Sequence, residues 1–315
     1  MWYLLLVSLK LNIKNDTVTM TKLFDLIDNP SPETIFAEIT KILSLINPDY
    51  DPILFKNAYD DIICLFEGDF PGYRASNTKY HNLEHTCSVT LATARLIHGL
   101  HIKRHILASR LIELGLIAAL FHDTGLIQKE GENKGTGAQY TIGHEERSIG
   151  LMRKYLTANG FSTEDKEDCG HIIMSTILTM PLEKISFRSD DVKVMGMILG
   201  SADLIAQMSD RIYLEKLPLL FQEFEEANMP GFETPLEFFK NTEEFYHSVV
   251  RTRLKQELGN VAAAALYHFK ERWDIDRDLY AQAITNNIEY LKKVYEYCAE
   301  SGESIDCILK RFRRK

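Results

Sequence analysis

Along most of the chain apolar residues recur every three to four positions rather than in alternation, the spacing that gives a helix one buried face. Ser31 followed by Pro32 in "SPETIFAEITKILSLI" supplies the residue types of an N-cap and a first-turn proline, and "NPDYDP" stops that helix. The pattern then predicts helices over 53–67, from about 82 to 100 and over 108–121, with the Gly/Pro loop "GDFPGYRASNTK" between the first two. "ASRLIELGLIAALF", 108–121, is apolar nearly all round and belongs at the centre of a domain. Further helices are expected near 144–158, 165–179, 190–209, 211–228 and 235–257, with two more closing the chain. The Gly-rich "KEGENKGTGAQYTIG" reads as a mobile surface loop. No run of alternating β-branched residues bounded by hairpin turns stands out. The expected fold is therefore all-α, a compact multi-helix bundle forming one domain over 20–315. Residues 1–19, ahead of an alternative start at Met20, stand apart as an N-terminal extension.

Composition narrows the partners. A chain of 315 residues with 45% hydrophobic content can fill a sizeable core. Its formal charge of −9 argues against a nucleic-acid polymer, whose binding draws on clustered Lys and Arg, and leaves a small molecule as the expected partner. The basic tail "KRFRRK" reads as a solvated helix end. Cys64, Cys87, Cys169, Cys298 and Cys307 are scattered without a CxxC pair, which fits neither a disulfide framework nor a zinc knuckle and suits a reducing cytoplasm. "MWYLLLVSL" is too short for a membrane span and lacks the basic flank and cleavage site of a signal peptide. A cytoplasmic protein with no membrane partner is expected.

The candidate chemistry lies in the polar residues that interrupt apolar helices: His85, the adjacent His122 and Asp123, His144, His171 and Asp203. Imidazole and carboxylate together suit divalent ions such as Zn, Mn, Fe and Mg, and an adjacent His and Asp can face one ion only at a helix end or irregular turn. Asp203, in "MILGSADLIAQM", sits among small and apolar residues where an unpaired carboxylate is costly, so it requires a cation or a salt bridge to an arginine such as Arg211. In "TKYHNLEHTCSV", His81 and His85 are four apart, which on a helix puts both rings on one face.

The order His, then His-Asp, then Asp resembles the HD-domain metal-dependent phosphohydrolases, and "YHNLEH", "ALFHDTG" and "GSADL" are similar to segments of class I cyclic nucleotide phosphodiesterases. The likeness runs from about Tyr80 to Asp210. It implies that His85, His122, Asp123 and Asp203 bind a first divalent ion, that Asp123 bridges to a second, and that His81 is the general acid for the leaving oxygen. His144 in "GHEERSIG" and His171 in "CGHIIMST" depart from the phosphodiesterase pattern and look more like HD proteins, the HD-GYP type among them, that hold both ions through side chains. For each of them two readings stand, ligand of the second ion or residue of a surface helix. Two such ions (Zn, Mn, Fe or Mg) would lower the pKa of a water between them and neutralise the phosphate it attacks, and a protonated His81 would add a factor of ~10² to 10⁴. Glu84 either orients a neighbouring histidine or is simply solvated.

The implied function is hydrolysis of a small phosphodiester, with a 3′,5′-cyclic nucleotide the favoured substrate. A nucleotidase or other phosphomonoesterase, and a non-catalytic metal-binding sensory protein, are the alternatives. For base recognition the chain offers Gln207, Gln222, Gln256 and Gln282, none in a matching segment, and Phe221, Phe224, Phe238 and Phe239, which are either core or an apolar wall. Arg74 and Lys79 stand as phosphate contacts or as solvated charges.

Overall fold

A computed structural model describes residues 21–231 and 233–305, and among these the chain is all-α, with no strand. α1 (Pro32–Ile46) opens as its sequence predicts, the Ser31 hydroxyl accepting from the Thr34 N–H with Pro32 in the first turn. α2 (Ile53–Glu67) stops at Gly68, whose φ of 90° only glycine adopts without strain. α3 (Leu83–Ile102) and α4 (Ser109–Phe121) follow, then α5 (His144–Ala158), α6 (Thr163–Met174), α7 (Asp190–Met208) and α8 (Tyr213–Glu226). α9 (Pro235–Phe245), α10 (Ala265–Trp273) and α11 (Leu279–Ser301) complete the set.

α3, α4 and α7 form the centre. α3 packs on α7, α1, α4 and α10, and α4 packs on α2, α6 and α7. Every residue of α4 from Leu111 to Phe121 is buried, as its unbroken apolar run predicts. Each of its Leu, Ile and Phe side chains contributes about 1.5–3 kcal/mol by leaving water. Close approach depends on small residues: a Cβ on Gly115 would fall 2.2 Å from the Met195 sulfur of α7. That packing fixes the relative height of α4 and α7, and so of the polar residues at their ends.

Three expectations need correction. α6 ends at Met174 rather than near 179, because the buried Arg253 guanidinium takes the carbonyls of Ser175, Ile177 and Leu178 at 2.8–3.0 Å and draws the chain out of the helix. The stretch 235–257 is helical as expected but contains two π turns, Tyr246–Val250 and Arg253–Glu257. The Gly-rich loop is fastened: Arg74 Nη1 donates to the Glu132 carbonyl at 2.7 Å, the Gly137 N–H to Asn77 Oδ1 at 2.8 Å and the Thr136 hydroxyl to Glu226 Oε2 at 2.6 Å. Phe221, Phe238 and Phe239 lie in the core, with Phe221 and Phe224 both packed on Phe238 at 5.7 and 5.8 Å, so they form no open wall. Cys64, Cys87, Cys169 and Cys298 are free thiols. Cys307, the extension 1–19 with Met20, and the basic tail lie outside the described residues. Among the described residues no helix is long and apolar enough to cross a membrane.

Candidate metal centre

Of the ten histidines, four meet where α3, α4 and α5 end or begin. Asn82 is the N-cap of α3, its Oδ1 accepting from the His85 N–H at 3.0 Å, so the helix starts between His81 and His85. The expectation that both sit on one helical face is therefore corrected: His85 lies in the first turn, while His81 precedes the cap. The rings still come together, 5.7 Å between centroids and nearly perpendicular.

At the other end of the buried helix, His122 closes α4 and Asp123, at φ −106° and ψ 2°, turns the chain into a short 3-10 segment, Thr124–Leu126. The turn lets both neighbours face inward, as two consecutive residues of a regular helix cannot. Gly125 then brings α5 close: a Cβ there would lie 1.9 Å from the His144 carbonyl. Ser148 Oγ accepts from the Gly125 N–H at 2.8 Å, and Arg147 Nε donates to its carbonyl at 2.7 Å. "HDTG" and "GHEERS" are thereby locked together, which places His144 against Asp123.

Asp123 divides its two oxygens. Oδ2 lies 3.3 Å from His85 Nε2 and 3.1 Å from His122 Nε2, while Oδ1 lies 3.2 Å from His144 Nε2. Asp203 reaches in from α7, its Oδ1 3.3 Å from His85 Nε2 and 3.8 Å from His122 Nε2. Behind the cluster, His122 Nδ1 bonds the Ala119 carbonyl and His144 Nδ1 the Thr141 carbonyl, both at 2.7 Å, which leaves Nε2 of each ring as the inward donor atom.

This set fits divalent ions. Nitrogen and oxygen ligands at ~2.1 Å from a shared ion stand roughly 3.0–3.4 Å from one another, close to the spacings here. Ligand atoms of His85, His122 and Asp203 lie within 4.8 Å of one another. His122 Nε2 and Asp123 Oδ2 are buried without a hydrogen-bond partner, a costly arrangement for two polar atoms that face each other unless a cation joins them. His85, His122 and Asp203 could hold a divalent ion, with Asp123 between them and His144.

The electrostatics ask for positive charge. Burial pushes an imidazole toward neutrality, and with the positive charge of neighbouring Arg and His side chains it takes His98 down to about 4 and His268 down to about 2 where they face each other across α3 and α10. His85 is also buried, yet the carboxylates of Asp123 and Asp203, each 3.3 Å from its Nε2, outweigh burial and raise it to about 10. His144 is lifted to about 9 by Asp123 against the same burial, and His122 also moves up. Burial would raise Asp123, but its three histidine neighbours hold it well below the ordinary carboxylate range.

The stability of the metal-free protein therefore depends on pH. Groups raised above the unfolded value of ~6.5 stabilise the fold fully below that pH, and the contribution fades as pH rises through about 9 to 10. Ligation requires the neutral ring, so zinc added to metal-free protein at about pH 8 should displace one to two protons. Calorimetry in buffers of different ionisation enthalpy reads that number; no release would mean that the rings are neutral without an ion.

Beside the cluster, His81 Nδ1 bonds Glu223 Oε2 of α8 at 2.6 Å, and the other carboxylate oxygen accepts from the Tyr80 N–H at 2.7 Å. Burial raises Glu223, but His81 prevails and holds it below its usual range. Sequence reasoning missed Glu223. Glu84, weighed there as the orienting carboxylate, is exposed and faces Lys216 Nζ at 3.3 Å instead. Gln207, one turn beyond Asp203, accepts from the Tyr80 hydroxyl at 3.1 Å.

His171 is not brought into this group. Its ring stands 6.1 Å from Phe187, which packs on Gly196, and seven residues of α7, about 10 Å, separate Gly196 from Asp203. Arg211 lies over the Phe24 ring at 4.7 Å rather than against Asp203. Arg74 is held by Gln128 and Glu132, and Lys79 is exposed.

A family model described as Npun_R2479-like matches residues 46–265, which include every residue of this centre, and the chain belongs to that family. No curated protein matches it.

Proposed function

We propose that this member of the Npun_R2479-like family is a metal-dependent phosphohydrolase that cleaves a small phosphodiester, with a 3′,5′-cyclic nucleotide as the favoured substrate. The observation that carries the reading is the division of Asp123 between His85 and His122 on one side and His144 on the other, with His81 beside the cluster and backed by Glu223. The likeness of "YHNLEH", "ALFHDTG" and "GSADL" to the phosphodiesterases supports it.

Two divalent ions, when bound, supply an activated water and neutralise the phosphate oxygens. The chain's own residues do the rest. Asp123 keeps the two halves of the centre in register, and Asp203 adds the charge that offsets the first cation. Glu223 takes the His81 Nδ1–H, so Nε2 is the free nitrogen, able to donate once the ring is protonated, and the charge the ring then carries is balanced by a buried carboxylate. A histidine held in that way delivers a proton to a departing alkoxide, the step that a diester with a poor leaving group needs. The rings of His85 and His144, centred 5.7 and 6.3 Å from that of His81, place the acid within one substrate's width of the cluster.

The test is a screen of zinc- or manganese-loaded protein against cyclic mono- and dinucleotides, nucleoside mono- and triphosphates and bis(p-nitrophenyl) phosphate. Diester hydrolysis that a chelator abolishes is the expected result. Turnover of monoesters alone would move the assignment to a nucleotidase. Two bound ions with no turnover of any substrate would favour a sensory protein.

A further inference from the structure

A second concavity lies across α7 from the metal centre. Between the stretch Tyr246–Glu257 and the first half of α11 is a cavity of about 520 Å³, inside the range of roughly 300–1,000 Å³ typical of small-molecule sites. Its floor is apolar, formed by Ile205, Leu254, Ile284 and Ile288. Ile205 follows Asp203 by two residues, about 200° further round the helix, so the cavity shares an element with the metal centre and no ligand.

Two features mark it as a binding site rather than a packing gap. Tyr246, His247, Leu254 and Lys255 line it from the two π turns, and single π turns inside helices are frequent at functional sites. The rim also carries unmatched positive charge. Arg251 and Lys255, one turn apart and exposed, have no carboxylate partner among the described residues; Arg251 touches His247 Nδ1 at 3.5 Å. Two of the lining acids are already engaged: Glu243 accepts from the Tyr295 hydroxyl at 2.5 Å and faces Lys292 at 4.0 Å, and Asp278 caps α11 through the Ala281 N–H at 3.0 Å. Glu289, exposed on the α11 side, is the remaining acid of the lining.

We propose that this cavity binds a small amphipathic anion, its apolar body against Ile205, Leu254, Ile284 and Ile288 and its acidic group at Arg251 and Lys255. Apolar burial supplies the attraction, and the two cations select the sign of the head group.

The probe is dodecanoate, below its micelle concentration, titrated calorimetrically into the full chain with dodecyltrimethylammonium as the charge-reversed control. One dodecanoate per chain is expected, with the cationic amphiphile weaker by about tenfold or more. Arg251→Glu/Lys255→Glu, confined to exposed side chains, should weaken dodecanoate by a similar factor and leave the fold intact by circular dichroism. Thr285→Trp, from the exposed α11 wall, should block both amphiphiles by filling the space. Equal affinity for the two head groups, unchanged binding in the double variant, or no binding at all would overturn the proposal. Binding should be the same with the metals removed, so its failure and that of the phosphohydrolase reading are separate results.

Discussion

Asp123→Ala is expected to leave neither ion bound after gel filtration and to lower hydrolysis of bis(p-nitrophenyl) phosphate by more than about 10²–10³, the scale set by losing even one electrostatic stabiliser from an active site. The reason is geometric. Asp123 is the residue that touches both halves of the centre, 3.1–3.3 Å from three different imidazoles through two different oxygens. Its removal leaves His85 and His122 with one carboxylate, Asp203, which makes no ion pair with His144, whose other carboxylate neighbour is Glu145 at 3.5 Å. Asp203→Ala should therefore differ in kind: the first ion is lost while the Asp123–His144 pair survives. Metal content by mass spectrometry, read beside circular dichroism, separates ligand loss from unfolding. If Asp123→Ala keeps both its metal and its rate, the shared carboxylate is not the hinge of the centre.

Much of this centre could be read from residue order, because each ligand sits where an apolar helix meets a polar interruption. "ALFHDTG" announces itself through contrast: eleven buried residues, then His122 and Asp123 at the point where the helix must end. Asp203 is legible for the same reason, as a carboxylate within a small-residue helix. Such signals are local, and so are the periodicities that gave the helices.

What stayed hidden depends on contacts across long stretches of chain. Glu223 lies 142 residues from His81, and in "FQEFEE" it looks like its neighbours Glu225 and Glu226, of which Glu226 instead holds Thr136. The early end of α6 is imposed by Arg253, more than 70 residues downstream, whose guanidinium replaces the helical donors of Ser175 to Leu178. His144 and His171 looked alike as sequence, each following a glycine near a helix. The approach that Gly125 permits sets them apart, since it brings the start of α5 to Asp123, while the His171 ring lies beside Phe187 instead. Asn82 was legible as an amide but not as a cap, and that single assignment decides whether His81 belongs to the helix or to the loop before it.

His81→Ala and Glu223→Gln together test the proton-donor half of the site. The alanine variant should keep both ions, because the ion pair of His81 is with Glu223 rather than with Asp123 or Asp203, and should lose about 10²–10⁴ in rate on a diester with an alkyl leaving group. On bis(p-nitrophenyl) phosphate, whose leaving phenolate needs no proton, the loss should be small. Glu223→Gln keeps an acceptor for the Tyr80 N–H but removes the negative charge beside His81 Nδ1. With that charge gone, the rate on the alkyl diester should fall, while the metal content and the rate on the activated ester stay near those of the parent. A structural role for Glu223 alone would instead depress the rates on both substrates equally. Equal losses on both esters in His81→Ala would remove the acid from the mechanism, and the carboxylate behind it would then be a packing feature of α8.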